Sequence, residues 1–196
     1  MEAKFEELIE GYITGNIGIS EEFISTALAT ALQLNLQLLD SNNLMIKAGI
    51  GNNAKKDSQQ NKRSDSTCWM DDNGSNSAEM EFMEIVHEFM RHLNRTCYTG
   101  LHSCEFHYAL YEEGSFYTRH KDQFKNDNNR KFTFINYLNT NWIPKDGGQL
   151  IVYQDNSNLT IYPENRKAVF FKSENIEHEV AITKRIRMSI TGWLKT

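Results

Sequence analysis

The sequence predicts an α+β fold in which helices buttress a β-sandwich or jelly roll. Two observations carry that reading. The N-terminal half holds segments with apolar residues at helical spacing, and from Cys104 onward short β-type runs follow one another, separated by turn signals. Helices first and strands after place the helices against one outer face of the sheets. Closely spaced short strands favour a sandwich or jelly roll. Residues about 1–100 are then a helical buttress and about 104–195 a β-core, together one domain, which suits a chain of 196 residues.

The elements follow in order. In "KFEELIEGYITG", Phe5, Leu8, Ile9 and Tyr12 share one helical face, and Gly15 is the stop. Ser20 stands where an N-cap would, with Glu21 and Glu22 in the first turn, where the helix dipole favours acids. The stretch "FISTALATALQLNLQLL" then sets Phe23, Ala27, Ala31, Leu34 and Leu38 on an apolar stripe. A third helix, "AEMEFMEIVHEFMRHLNR", carries Phe82, Val86, Phe89 and Leu93 at helical spacing. Gly51–Ser66, "GNNAKKDSQQNKRSDS", is polar and reads either as a solvated insertion or as a lid. The strands expected after it are "EFHYALY", the aromatic run in "EGSFYTRHKDQF", "KFTFINYL", "QLIVY", "LTIY", "KAVFF", "HEVAI" and "IRMSITGWL", with "KDGG" and "PENR" as turns.

Composition narrows the function classes. No run of 18 apolar residues is present, so no membrane-spanning helix is expected. The acidic, amphipathic N-terminus lacks the features of a secretory signal. Cys68, Cys97 and Cys104 are odd in number and lack metal-motif spacing, which points to reduced thiols in a cytoplasmic protein. A net charge of −5 weakens any reading in which the whole surface grips nucleic acid.

The six histidines divide unevenly. His87 and His92 lie five apart on the third helix, not a same-face spacing, and read as structural. His102 has no neighbour that assigns it a role. His107, among large side chains, is either core or surface. His120 and Asp122 stand at i and i+2 of a strand-like run, so both aim at one face. With His178 they supply two imidazoles and one carboxylate, which on a β scaffold is the facial triad of non-haem Fe(II) oxygenases. Neutral imidazoles suit a borderline metal, one carboxylate lowers the net charge, and three ligands on one face leave three positions open.

Arg187 falls nine residues after His178. Alternation puts Arg187, Ser189, Thr191 and Trp193 on one face and Ile186, Met188, Ile190 and Leu194 on the other. The polar face either meets water or lines a cavity whose arginine awaits a carboxylate, a task for its planar, always charged fork. Thr133, Ile135 and Tyr137 likewise share a face. Tyr137 is either a core tyrosine or a hydroxyl that completes such a pocket.

The order "YEEGSFYTRHKD … NYLN … DGGQL … HEV … RMSITGW" closely resembles the 2-oxoglutarate- and Fe(II)-dependent dioxygenases of the prolyl 4-hydroxylase type. The likeness is greatest to bacterial and hypoxia-inducible-factor-type prolyl hydroxylases and runs from about Arg63 to Trp193. It implies a double-stranded β-helix. It implies His120, Asp122 and His178 as iron ligands, and Arg187 as the salt-bridge partner of the distal carboxylate of 2-oxoglutarate. Tyr137 shares that carboxylate and Thr191 lines the same pocket. Tyr111 and Tyr117 flank iron and co-substrate, Leu150 is pocket wall, and Trp193 sits behind the metal. Arg63 and Asp65, in "KRSDSTCW", border a substrate-closing loop, which favours the lid reading of Gly51–Ser66.

The cofactors so implied are Fe(II), 2-oxoglutarate, O2 and ascorbate. The expected reaction is hydroxylation of a prolyl residue in a protein, with release of succinate and CO2. Elongation factor Tu or a ribosomal protein is the target by analogy in a bacterial host, and the enzyme is expected to be a monomer. Glu112 departs from the family, which often has Pro or Ala there, and bears on substrate preference. Two rivals stand beside this reading. One is the same chemistry on alkylated nucleic acid or a small molecule, for which Lys55, Lys56, Lys62 and Arg63 form the one small basic patch. The other is a non-catalytic domain that senses 2-oxoglutarate.

Overall fold

The computed structural model describes residues 1–49, 62–71, 74–122, 129–155 and 157–196. The chain opens with α1 (Glu2–Gly15), which buries Phe5, Leu8 and Ile9 and ends at Asn16 in the left-handed conformation. β1 (Ile17–Ser20) follows at once. Here structure and sequence part: Ser20 is not a helix cap. It ends β1, pairs with Ala168, and donates to Glu7 Oε2 at 2.6 Å. Pairing of Ile17–Ser20 with the sheet outweighs the local capping signal. Glu21 and Glu22 instead pair with Lys167 and Arg166.

α2 (Thr26–Ser41) is capped by Ser25, whose hydroxyl accepts from Leu28 N at 3.1 Å. Its buried face is Leu28, Ala29, Leu32 and Leu36, while Leu34 and Leu38 are exposed. The expected stripe was therefore the wrong one. Leucines surround this helix, so period alone does not choose a face, and Phe23 lies before the helix rather than in it. β2 (Ile46–Lys47) and β3 (Ser66–Trp69) form a short antiparallel pair that the sequence did not signal. Of the proposed lid, residues 51–61 lie outside the described residues. α3 (Ser77–Cys97), capped by Asn76, buries Phe82, Val86, Phe89 and Leu93 as expected. His92 on it is structural: its Nε2 meets Glu6 Oε1 at 2.5 Å and ties α3 to α1.

β4 (Ser103–Tyr111), β5 (Tyr117–His120), β6 (Arg130–Tyr137), β7 (Leu150–Tyr153), β8 (Asn158–Ile161), β9 (Ala168–Lys172), β10 (Glu177–Val180) and β11 (Arg187–Lys195) complete the fold. They form two antiparallel sheets, ordered β1-β9-β6-β11-β4-β3-β2 and β5-β10-β7-β8. This is the double-stranded β-helix expected. No helix is long and apolar enough to cross a membrane among the described residues.

Strand alternation builds two cores. Phe106, Phe134, Phe170, Met188 and Ile190 point from the large sheet to the three helices and pack with Phe5, Phe82 and Phe89. The opposite face sends Tyr111, Ile135, Tyr137, Val169 and Phe171 toward Leu150, Val152 and Val180 of the small sheet. The polar face of β11 looks into this second space, not into water. The α1–β1 turn is tight enough that a Cβ on Gly18 would lie 2.0 Å from the Leu8 carbonyl oxygen. Gly18→Ala is expected to destabilise the fold by about 1–3 kcal/mol through overpacking, read by urea unfolding.

Candidate active site

His120 closes β5 and His178 lies in β10, and the two residues are direct cross-strand partners. Asp122 follows two residues after His120. The potential ligand atoms of the three side chains all lie within 4.8 Å of one another. Asp122 Oδ1 is 3.4 Å from His120 Nε2, and Oδ2 is 3.7 Å from His178 Nε2. Nδ1 of His120 faces the Thr118 carbonyl at 2.8 Å, and Nδ1 of His178 faces that of Ile176 at 3.3 Å. Each carbonyl holds a proton on Nδ1 and so turns a bare Nε2 lone pair toward the carboxylate. Tyr117 stacks on His120 with centroids 3.5 Å apart, and Phe171 meets His178 edge-on.

The electrostatics suit a cation. Burial pushes His178 down to about 4 against the pull of Asp122, so its imidazole is neutral. Burial alone would raise the Asp122 carboxyl. His178, His120 and a 2.8 Å hydrogen bond from Thr133 Oγ1 overcome it and hold the group far below the usual carboxylate range. Thr133 is itself bonded to Ser173. Two imidazole lone pairs and one ionised carboxylate thus converge on one point, and this donor set fits Fe(II).

The triad opens on a cavity of about 350 Å3 between the sheets. Arg63, Tyr111, Tyr117, Leu150, Arg187, Thr191 and Trp193 line it, as do the three triad residues. Arg187 is 2% exposed, and no carboxylate pairs with it among the described residues. Its Nε donates to the Gly148 carbonyl at 2.8 Å, and its guanidinium lies 4.8 and 5.0 Å from the ring centres of Tyr111 and Tyr137. Tyr137 is fully buried beside Arg187, and its hydroxyl, turned toward that guanidinium, makes no well-formed hydrogen bond among the described residues. A buried, unpaired guanidinium is costly unless an anion completes it. A dicarboxylate would meet that demand.

The glycine pair of "DGGQL" supports the arginine. Gly148 has φ +61°, and a Cβ there would lie 3.1 Å from Arg187 Cδ and 3.0 Å from Thr183 Oγ1. Gly148→Ala is expected to weaken 2-oxoglutarate binding several-fold, measured by calorimetry, with a backbone cost of about 1–2 kcal/mol. At the cavity rim, Arg63 grips buried Asp65 in a two-pronged pair at 2.7 and 2.5 Å and lies over the Tyr117 ring.

Three contributors escaped sequence reading. Thr133 fastens Asp122, Arg130 covers the Trp193 ring, and His107 stands in the cavity wall. Trp69, which closes the same sequence segment as Arg63 and Asp65, is half-exposed and lines the cavity. His107 was legible in principle: it shares a strand face with Ala109 and Tyr111, a residue already singled out.

Fold and site resemble those of one class, the non-haem Fe(II), 2-oxoglutarate-dependent dioxygenases. Residues 106–195 match the family model of the 2OG-Fe(II) oxygenase superfamily. The chain is similar to a Pseudomonas putida prolyl-4-hydroxylase, with 28% identity, TM-score 0.88, and coverage of 97% of this chain and 98% of that one. It is equally similar in fold to a Trichoplax adhaerens prolyl hydroxylase solved with a hypoxia inducible factor peptide fragment, with 25% identity, TM-score 0.88, and coverage of 99% and 90%. The epimerase SnoN of nogalamycin biosynthesis shares the fold at 12% identity and TM-score 0.67, over 98% of this chain and 82% of that one. The fold therefore hosts more than one reaction.

Proposed function

We propose that this protein is a single-domain Fe(II)- and 2-oxoglutarate-dependent dioxygenase that hydroxylates a prolyl residue in a protein. Substrate C–H, 2-oxoglutarate and O2 become C–OH, succinate and CO2. The observation that carries the reading is the buried Arg187, without a carboxylate partner among the described residues, in a cavity that also presents two imidazoles and a carboxylate on one side. Likeness to two prolyl hydroxylases over nearly the whole chain supports the choice of substrate.

His120, Asp122 and His178 would hold the metal. Iron with 2-oxoglutarate and O2 supplies the oxidising power, coupling decarboxylation to oxygen insertion. Arg187 pairs with the distal carboxylate, and the Tyr137 hydroxyl, unsatisfied without a ligand, shares it. Thr191 and Leu150 bound the co-substrate on either side. Tyr111 and Tyr117 stay neutral, because burial raises both phenols, so they offer donors beside the metal without adding charge. Tyr117 and Phe171 fix the two imidazole planes. Thr133 holds the Asp122 oxygen, and Trp193 screens that region from solvent. Arg63 and Asp65 shape the rim where a peptide enters.

Ascorbate serves as an accessory reductant, and the protein acts as a cytoplasmic monomer. Elongation factor Tu and ribosomal proteins are the first targets to examine. The nucleic-acid reading loses support because the Arg63 charge is spent on Asp65, while Lys55 and Lys56 lie outside the described residues. The test is mass spectrometry of a cell lysate treated with protein, Fe(II), ascorbate and 2-oxoglutarate. One added oxygen on a specific proline, absent with Asp122→Ala, is the expected result. Succinate release with no modified proline would sink the prolyl substrate.

A further inference from the structure

His107 has no part in the function as proposed so far, yet it is 4% exposed and lines the cavity. It stands between Trp69 and Trp193, with ring centres 4.8 and 5.5 Å away. Its place along the cavity follows from strand register. Tyr111 of β4 pairs with Arg187 of β11, and Glu105 pairs with Trp193, which lies level with Thr133, the residue bonded to Asp122. His107 pairs with Thr191, which lies level with Ile135, in the row between those two ends. A dicarboxylate stretched from Arg187 to the triad must pass it.

The ring's own chemistry selects a donor. Nδ1 is sealed from solvent and has no hydrogen-bond partner among the described residues. Leaving a bare lone pair there costs less than stranding an N–H, so the proton of the neutral imidazole sits on Nε2. Nε2 is then the nitrogen left to meet the cavity's contents. Near its metal-facing end 2-oxoglutarate offers only acceptors, a keto oxygen and a carboxylate.

We propose that His107 is a co-substrate-binding residue, donating from Nε2–H to the keto-acid half of 2-oxoglutarate. This deepens the proposed function and rests on it. A polar wall at this row would also favour a keto acid over a dicarboxylate lacking the oxo group.

The test uses the full chain loaded with Zn(II), which binds co-substrate without turnover, and titrates it with 2-oxoglutarate by calorimetry. His107→Phe fills the space without the hydrogen bond, and His107→Gln restores a donor. Phe is expected to raise the Kd about 10-fold or more, the worth of a hydrogen bond to a charged acceptor, while Gln stays within about 3-fold of wild type. Zn(II) affinity and melting temperature should be shared by all three proteins. If Phe does not fold, His107→Met, with its adaptable side chain, takes its place. Equal 2-oxoglutarate affinity in wild type and the apolar variant would overturn the inference. So would a Gln variant as weak as Phe, or a loss confined to prolyl-peptide binding. Wild-type protein that binds no 2-oxoglutarate would overturn the proposed function itself, and the role of His107 with it.

Discussion

Asp122→Ala is expected to abolish Fe(II) binding and turnover together. The carboxylate is the only anion in the triad, and each of its oxygens faces one imidazole Nε2, at 3.4 and 3.7 Å. Without it, two imidazole nitrogens remain to hold a dication in a cavity that already contains the positive Arg187. Removal of a residue that merely hydrogen-bonds a metal ligand costs about 10–100-fold in affinity, and loss of the anionic ligand should exceed that. Metal titration by calorimetry reads the effect directly. Thr133→Val supplies the scale: it keeps the carboxylate, removes the 2.8 Å bond that aims it, and should fall within that 10–100-fold range. Nearly equal affinities for Asp122→Ala and wild type would place the metal elsewhere.

Arg187→Met should have the second largest effect, and it separates function from stability. With 2-oxoglutarate bound, the variant strands a buried carboxylate without its partner, a loss of about 2–5 kcal/mol, or roughly 30- to 4,000-fold in Kd. Without ligand the balance reverses. The wild-type guanidinium is buried, and among the described residues it has the Gly148 carbonyl, a long contact to Ser189 Oγ and the rings of Tyr111 and Tyr137 around it but no carboxylate. Replacing that charge with an apolar side chain of similar length should leave the melting temperature unchanged or higher. A wild type that 2-oxoglutarate stabilises strongly, beside a variant that it does not, is the expected pair of melting curves.

Much of this site is legible in the sequence, for physical reasons that differ by residue. His120 and Asp122 could be paired because alternation in a strand is rigid, so spacing alone fixes a shared face. The same rule sorted β11 into an apolar and a polar face. It did not say whether Arg187 faced water or a cavity, since that depends on the second sheet lying across β11, a long-range fact. The motif order supplied what alternation lacked. Tyr137 does lie beside Arg187, its ring centre 5.0 Å from the guanidinium.

The misses share a cause. Ser20 carries every local mark of an N-cap, yet pairing of β1 with β9 claims it. Helix α2 is leucine-rich all round, so packing against α3 and the large sheet, not periodicity, chose its buried face. His107 looked uninformative because its meaning comes from Trp69 and Trp193, distant in sequence and brought beside it by strand pairing.

The most direct test of the central claim is an anaerobic titration of the Fe(II)-loaded protein with 2-oxoglutarate, followed in the visible. Chelation of iron by a keto acid gives a charge-transfer absorption that neither partner has alone. Wild type should develop the band and saturate, Asp122→Ala should show none, and Arg187→Met should require at least about 30-fold more 2-oxoglutarate. A wild type with no band, or a band that survives in Asp122→Ala at unchanged affinity, would contradict the assignment of this cavity as an Fe(II)/2-oxoglutarate centre.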